Sequence, residues 1–169
     1  YANSNNDVDV VLDLMIHDID LVLDMISQQP YSIAAHGLSA FSGNVDYAVA
    51  HLTYETGPLV EMTASRITEQ KIRLIEATTR DAYIEGDLLN KSIAIHRGVT
   101  AEYLSHNRRG VKYRQESLVE RIYVPTFEPL FLELQHFVEC VIDGKLPQIT
   151  ARDGLDALCL AEKIRTTIR

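Results

Sequence analysis

Between Val8 and Ile26 the apolar residues recur at helical spacing on two adjoining stripes. One holds Val10, Leu14, His17, Leu21 and Met25; the other holds Val11, Met15, Ile19, Val22 and Ile26. Two such stripes predict a helix over 8–26 that is buried on most of its sides, ended by Pro30. From Tyr31 the period changes to two. Ala48, Ala50, Leu52 and Tyr54 alternate with Val49, His51 and Thr53, and turn residues stand at Ser42-Gly43-Asn44 and Glu55-Thr56-Gly57-Pro58. Strands are therefore predicted at 32–41, 46–54 and 59–65, with further ones at 71–77, 81–85, 92–97 and 115–124. Short connections between them require antiparallel pairing. Pro125 and Pro129 then introduce a helix over 128 to about 143, with Leu132, Phe137, Val138, Val141 and Ile142 as its core face. Gly144 caps it and Pro147 follows. Thr150, with Asp153 three residues on, opens a last helix over 151–168. One helix, many strands and two helices make an α+β fold, with an open, predominantly antiparallel sheet and helices on one face. The segment 104–112, containing Asn107-Arg108-Arg109-Gly110, is the expected mobile loop.

The opening helix is interrupted by charge. Asp13 and His17 are four residues apart and share a face, and Asp20 follows three residues later. A carboxylate beside an imidazole fixes its tautomer and stabilises its protonated form, which suits a general acid/base acting on a hydroxyl. A satisfied structural pair has the same spacing. So would a metal site built from Asp13, His17 and Asp20, although no further His or Cys stands at ligand spacing. Arg66, Lys71 and Arg73 bracket a turn; they read either as ordinary surface charge or as a site for a phosphate or carboxylate. His36, His51, His96 and His136 read as structural or solvent-facing.

Composition narrows the partners. With 169 residues the chain is sized for one domain, and its 16 Lys and Arg against 24 Asp and Glu leave a net charge of -8. That balance argues against nucleic acid as a partner. No apolar run is long enough to span a bilayer, and no signal peptide is visible. Cys140 and Cys159 read as small buried side chains in a reducing compartment, which points to the cytoplasm. No Gly-rich phosphate loop and no nucleophile elbow is present. The first residue is Tyr1 rather than Met, so the chain reads as part of a larger protein.

Three stretches, in order, resemble one family. Asp9-Val10-Val11-Leu12-Asp13-Leu14-Met15-Ile16-His17-Asp18-Ile19-Asp20 resembles the start of the C-terminal domain of the Gfo/Idh/MocA oxidoreductases, in which an Asp is followed four residues on by a His and then by an acid. Asp46 to Gly57 with Met62-Thr63-Ala64-Ser65-Arg66 is similar to the family's next segment. So is Glu128-Pro129-Leu130 through Glu133, Phe137, Gly144, Pro147, Asp153-Gly154 and Ala157. The resemblance implies a parent with a preceding Rossmann domain that binds NAD or NADP, and a single C-terminal domain over 1–169 that binds substrate and assembles into a homo-oligomer through its open sheet face. It makes His17 the acid/base that takes the substrate proton, Asp13 its partner and Asp20 a structural acid. The family's catalytic lysine belongs to a Glu-Lys-Pro motif of the other domain, so this chain alone is expected to be inactive. Residues 65–73 resemble members acting on nucleotide-linked sugars, with Arg66, Lys71 and Arg73 facing the anionic group. Free sugars and inositols stay open as substrates. So does a non-catalytic sugar-binding or oligomerisation module of the same fold.

Overall fold

A computed structural model of the chain describes residues 8–40, 43–67, 70–101, 114–125 and 127–168. The predicted mobile loop at 104–112 lies outside them. The described residues form two compact units: residues 1–69 with 137–169, and residues 70–136.

In the first unit, β1 (Ser32–Leu38), β2 (Tyr47–Thr53) and β3 (Leu59–Ser65) pair antiparallel in chain order. Ala35, Ala50 and Met62 stand opposite one another across the three strands. The period-two pattern decides which face is covered: Ala48, Ala50 and Leu52 are fully buried, while Tyr47, Val49 and His51 are half-buried. The buried face is mostly alanine, which lets helices approach the backbone closely. Val10, Val11, Met15, Ile19 and Val22 from the opening helix meet it, and so do Ala157, Leu160, Ala161 and Ile164 from α3 (Ala151–Thr167). At about 25 cal/mol per Å² of apolar surface, this joint burial is what holds the unit together.

Polar groups fix the entry to each helix. Asp9 is almost fully buried; its Oδ1 accepts from Val11 N at 3.0 Å and Leu12 N at 3.1 Å, capping the opening helix. Its Oδ2 is bonded by Arg165 of α3, so the first and last helices share one carboxylate. Buried Asp46 accepts from Ala40 N at 2.9 Å and so holds the β1–β2 connection. At α3 the Thr150 and Asp153 side chains exchange bonds with each other's backbone N–H, the capping box expected from the sequence.

In the second unit, β4 (Leu74–Thr78), β5 (Tyr83–Asp87), β6 (Ser92–Ala101) and β7 (Arg114–Tyr123) form a four-stranded antiparallel sheet in chain order. The register puts Ile75, Ile84, Ile93 and Ile122 on one face and Glu76, Tyr83, Glu85 and His96 on the other. Lys91, at φ 51°, makes the tight turn before β6. Asp87 Oδ1 braces that turn by accepting from Leu89 N and Asn90 N, both at 2.9 Å.

The α+β class with open antiparallel sheets and helices holds. The strands, read from sequence as one sheet, fall into two, of three and four strands. The predicted ends at 71–77 and 81–85 move to 74–78 and 83–87, because the turn at Thr79–Ala82 is closed by its own hydrogen bonds. The opening helix is covered less widely than expected: Leu14, Leu21 and Met25 are exposed, since within this unit the sheet and α3 meet the other stripe and only Val10 of this one. The expected core face of α2 (Pro129–Asp143) is exposed as well. Leu132, Phe137, Val138, Val141 and Ile142 all face outward, and among the described residues of α2 Cys140 alone is buried. The helix itself ends as expected, with Gly144 at φ 64° and Lys145 N bonded to Cys140 O at 3.0 Å. Cys159, expected inside, is exposed.

Candidate active site

The opening helix is not regular. Val11–Met15 form a π-helical turn that runs directly into α1 (Ile16–Met25). Val11, Met15 and Ile19 are all fully buried at a spacing of four, a period that a 3.6-residue helix drifts away from. The wider turn keeps Val11 and Met15 both in the core. Its other side carries Asp13 and Leu14 into the open. Single π turns of this kind recur at functional sites.

His17 stands in the first turn of α1 and is exposed. Its imidazole makes no hydrogen bond or ion pair to another described residue. Asp13 shares the open face, but its carboxylate is engaged with Arg66. Nε and Nη2 of Arg66 lie 3.1 and 3.0 Å from Asp13 Oδ2, and Nη2 also donates to Val8 O at 2.7 Å. Asp20, half-buried, lines a polar cleft of about 400 Å³ with Asp24, Gln28, Gln148, Asp153 and Asp156. The seam between the opening helix and the three-stranded sheet is filled by the core. Asp13 and His17 stand away from that seam, exposed on the helix.

Of the predicted basic cluster, Arg66 belongs to the first unit, while Lys71 and Arg73 belong to the second, where both are exposed. Two other histidines are tied into the sheets. His51 Nδ1 is 3.6 Å from Glu61, directly across from it, and His96 Nε2 is 2.8 Å from Glu85. Beside His96, the Tyr83 hydroxyl donates to Glu76, which pushes the phenol up to about 12. Among the described residues no group of three His, Cys, Asp or Glu side chains is arranged to hold a metal ion. No described helix is long and apolar enough to cross a membrane.

Sequence reasoning missed the Asp13–Arg66 contact. Its two ends are 53 residues apart, and only the return of β3 toward the start of the opening helix brings them together. It also missed the buried Tyr54 hydroxyl, which has no partner among the described residues and whose phenol burial pushes up.

The GFO/IDH/MocA C-terminal domain matches residues 1–85. The UDP-N-acetylglucosamine 3-dehydrogenase of Acidithiobacillus ferrooxidans is 37% identical over 93 residues, covering 54% of this chain and 30% of that protein. The scyllo-inositol 2-dehydrogenase (NAD(+)) of Bacillus subtilis is 26% identical over 158 residues, covering 86% of this chain and 41% of that protein. A solved structure of the Acidithiobacillus enzyme superposes with a TM-score of 0.79 at 25% identity, over 99% of this chain and 50% of that one. The chain thus spans half or less of the length of these relatives. With a family match over half its residues and a likeness of fold to a relative that covers 99% of the chain, the chain belongs to the Gfo/Idh/MocA oxidoreductase family, as a C-terminal domain of that family.

Proposed function

We propose that this chain is the substrate-binding and assembly half of an NAD- or NADP-dependent oxidoreductase acting on a hydroxyl of a sugar, nucleotide sugar or inositol. His17 is its general acid/base and Asp13 the partner of His17. The observation that carries the reading is the outer face of the opening helix. There an unpartnered, exposed imidazole and a carboxylate stand one helical turn apart, next to a π turn, on a fold shared with dehydrogenases. Such an imidazole can take the proton of a hydroxyl as the carbonyl forms, and return it in the reverse direction.

In this proposal the cofactor belongs to a Rossmann domain preceding Tyr1, in keeping with relatives about twice as long. What remains for these residues is to bind and orient the substrate and to move its proton. A nucleotide sugar is favoured as substrate by the 37% identity to a UDP-N-acetylglucosamine dehydrogenase. Lys71 and Arg73, exposed and cationic, suit its diphosphate. Assembly proceeds through the apolar sheet face.

The deciding experiment follows nicotinamide reduction by the full-length protein with UDP-N-acetylglucosamine, inositols and free aldoses, beside His17→Ala. Turnover with one class, reduced about 100-fold or more in the variant while cofactor affinity holds, is the expected result. Turnover unchanged by His17→Ala would remove His17 from the chemistry. Tight substrate binding without turnover would favour a non-catalytic sugar-binding module.

A further inference from the structure

Arg66 follows the last residue of β3, and its position is set from two directions. Its backbone N–H donates to Asp46 O at 2.9 Å, just ahead of β2, so the Cα is fixed to the sheet. Its guanidinium reaches the start of the opening helix, where it holds both Val8 O and Asp13 Oδ2. Nη1 is buried and has no partner among the described residues. The Arg66 side chain is 15% exposed, against 53% for Asp13. A guanidinium enclosed in this way, with two of its nitrogens committed, is not free to swing out toward a ligand. What it presents to the outside is the Asp13 carboxylate, with Oδ1 left over.

We propose that Arg66 is the positioning residue of this site, acting on the reaction only through Asp13. The inference rests on the reading of Asp13 and His17 as the acid/base pair. Its physical basis is the π turn. Asp13 stands exposed on the open side of the widened turn, and Arg66 is the side chain that bonds its carboxylate. A two-nitrogen grip from a side chain anchored in the sheet fixes the carboxylate one turn before His17, and such fixed orientation is what a proton-transfer site requires. The geometry gives Arg66 a different task from the exposed Lys71 and Arg73.

A double-mutant cycle in the full-length protein tests this, with UDP-N-acetylglucosamine and NAD as probes. Arg66→Gln is expected to lower kcat about tenfold or more while KM stays within about twofold, and to cost less than about twofold when Asp13 is already Asn. Arg66→Lys keeps the charge without the fork and recovers part of kcat. A rise in KM at unchanged kcat would make Arg66 a ligand of the substrate and overturn the proposal. An equal loss of kcat in the wild-type and Asp13→Asn backgrounds would do the same. Full turnover in Asp13→Asn sinks the reading of the pair itself. That result is distinct from Asp13→Asn losing turnover while Arg66→Gln keeps it, which sinks only the role of Arg66. Should Arg66→Gln fail to fold, the Arg66 Nε–H resonance of the 169-residue chain gives a second reading. It is expected to be protected from exchange in the wild type and exposed in Asp13→Asn, and a resonance indifferent to Asp13→Asn overturns the proposal.

Discussion

At the scale of single residues, the first unit depends on a few side chains that belong to more than one element. Asp9 caps the opening helix and bonds Arg165 of the last one, so two helices at opposite ends of the chain are registered by one carboxylate. Gly37 is a second case. A Cβ there would lie 2.8 Å from Val45 Cγ1, 2.9 Å from Ile168 Cγ2 and 3.2 Å from Tyr47 O. Val45 and Ile168 are β-branched and stiff at χ1, so neither can turn aside cheaply. Gly37→Ala should therefore destabilise the chain by about 1–3 kcal/mol, read as a shift in urea midpoint at unchanged slope. A variant as stable as the wild type would mean that the C-terminal end of α3 moves off β1 at no cost.

The elements show where local chemistry is sufficient and where it is not. The start of α3 is decided locally. Thr150 donates to the Asp153 carboxylate, the hydrogen bond chiefly responsible for holding that group below its ordinary value of 3.8. A carboxyl depressed in the folded chain contributes stability that is complete above the unfolded value and is lost as pH falls through the lower native one. Thr150→Ala should thus cost about 1 kcal/mol at neutral pH, and its difference from wild type should shrink as pH is taken below that unfolded value. Circular-dichroism melts across acid pH measure this; a difference that stays constant would show that the Asp153 carboxyl does not take part in the cap. The opening helix is the opposite case. Its apolar spacing specified a helix, but a π turn within it follows from packing Val11, Met15 and Ile19 together on an alanine-lined sheet.

On the scale of the whole molecule, the main feature is apolar surface without cover. The four-stranded sheet turns Ile75, Ile84 and Ile93 to one face, where with Val124 they line an apolar hollow of about 300 Å³. Ile75, Ile84 and Ile93 are half-buried, while Leu118 and Ile122 of β7 on the same face are exposed. An antiparallel sheet can face water on one side, but contiguous isoleucines there point to a partner surface. Self-association through this face predicts that the chain sediments as a dimer or larger species and that Ile93→Glu shifts it to monomer. A wild-type chain that stays strictly monomeric at high concentration would refute assembly through this face.

Much of this protein follows from the order of its residues. The period of the apolar positions, the turn residues and the cap signals at Gly144 and Thr150 specified the helices, the antiparallel strands and their sequence, because each of those is a local preference. The spacing of Asp13 and His17 marked the candidate site for the same reason: residues four apart on a helix share a face. Tertiary structure alone decided three things. It divided the strands between two sheets, since pairing depends on which backbones meet after the chain has turned. It left Leu14, Leu21 and the apolar side of α2 uncovered, since hydrophobic spacing states that a face seeks burial but not what will bury it. It gave Asp13 to Arg66, since a contact across 53 residues exists only once β3 has been laid beside β2 and brought back to the start of the helix.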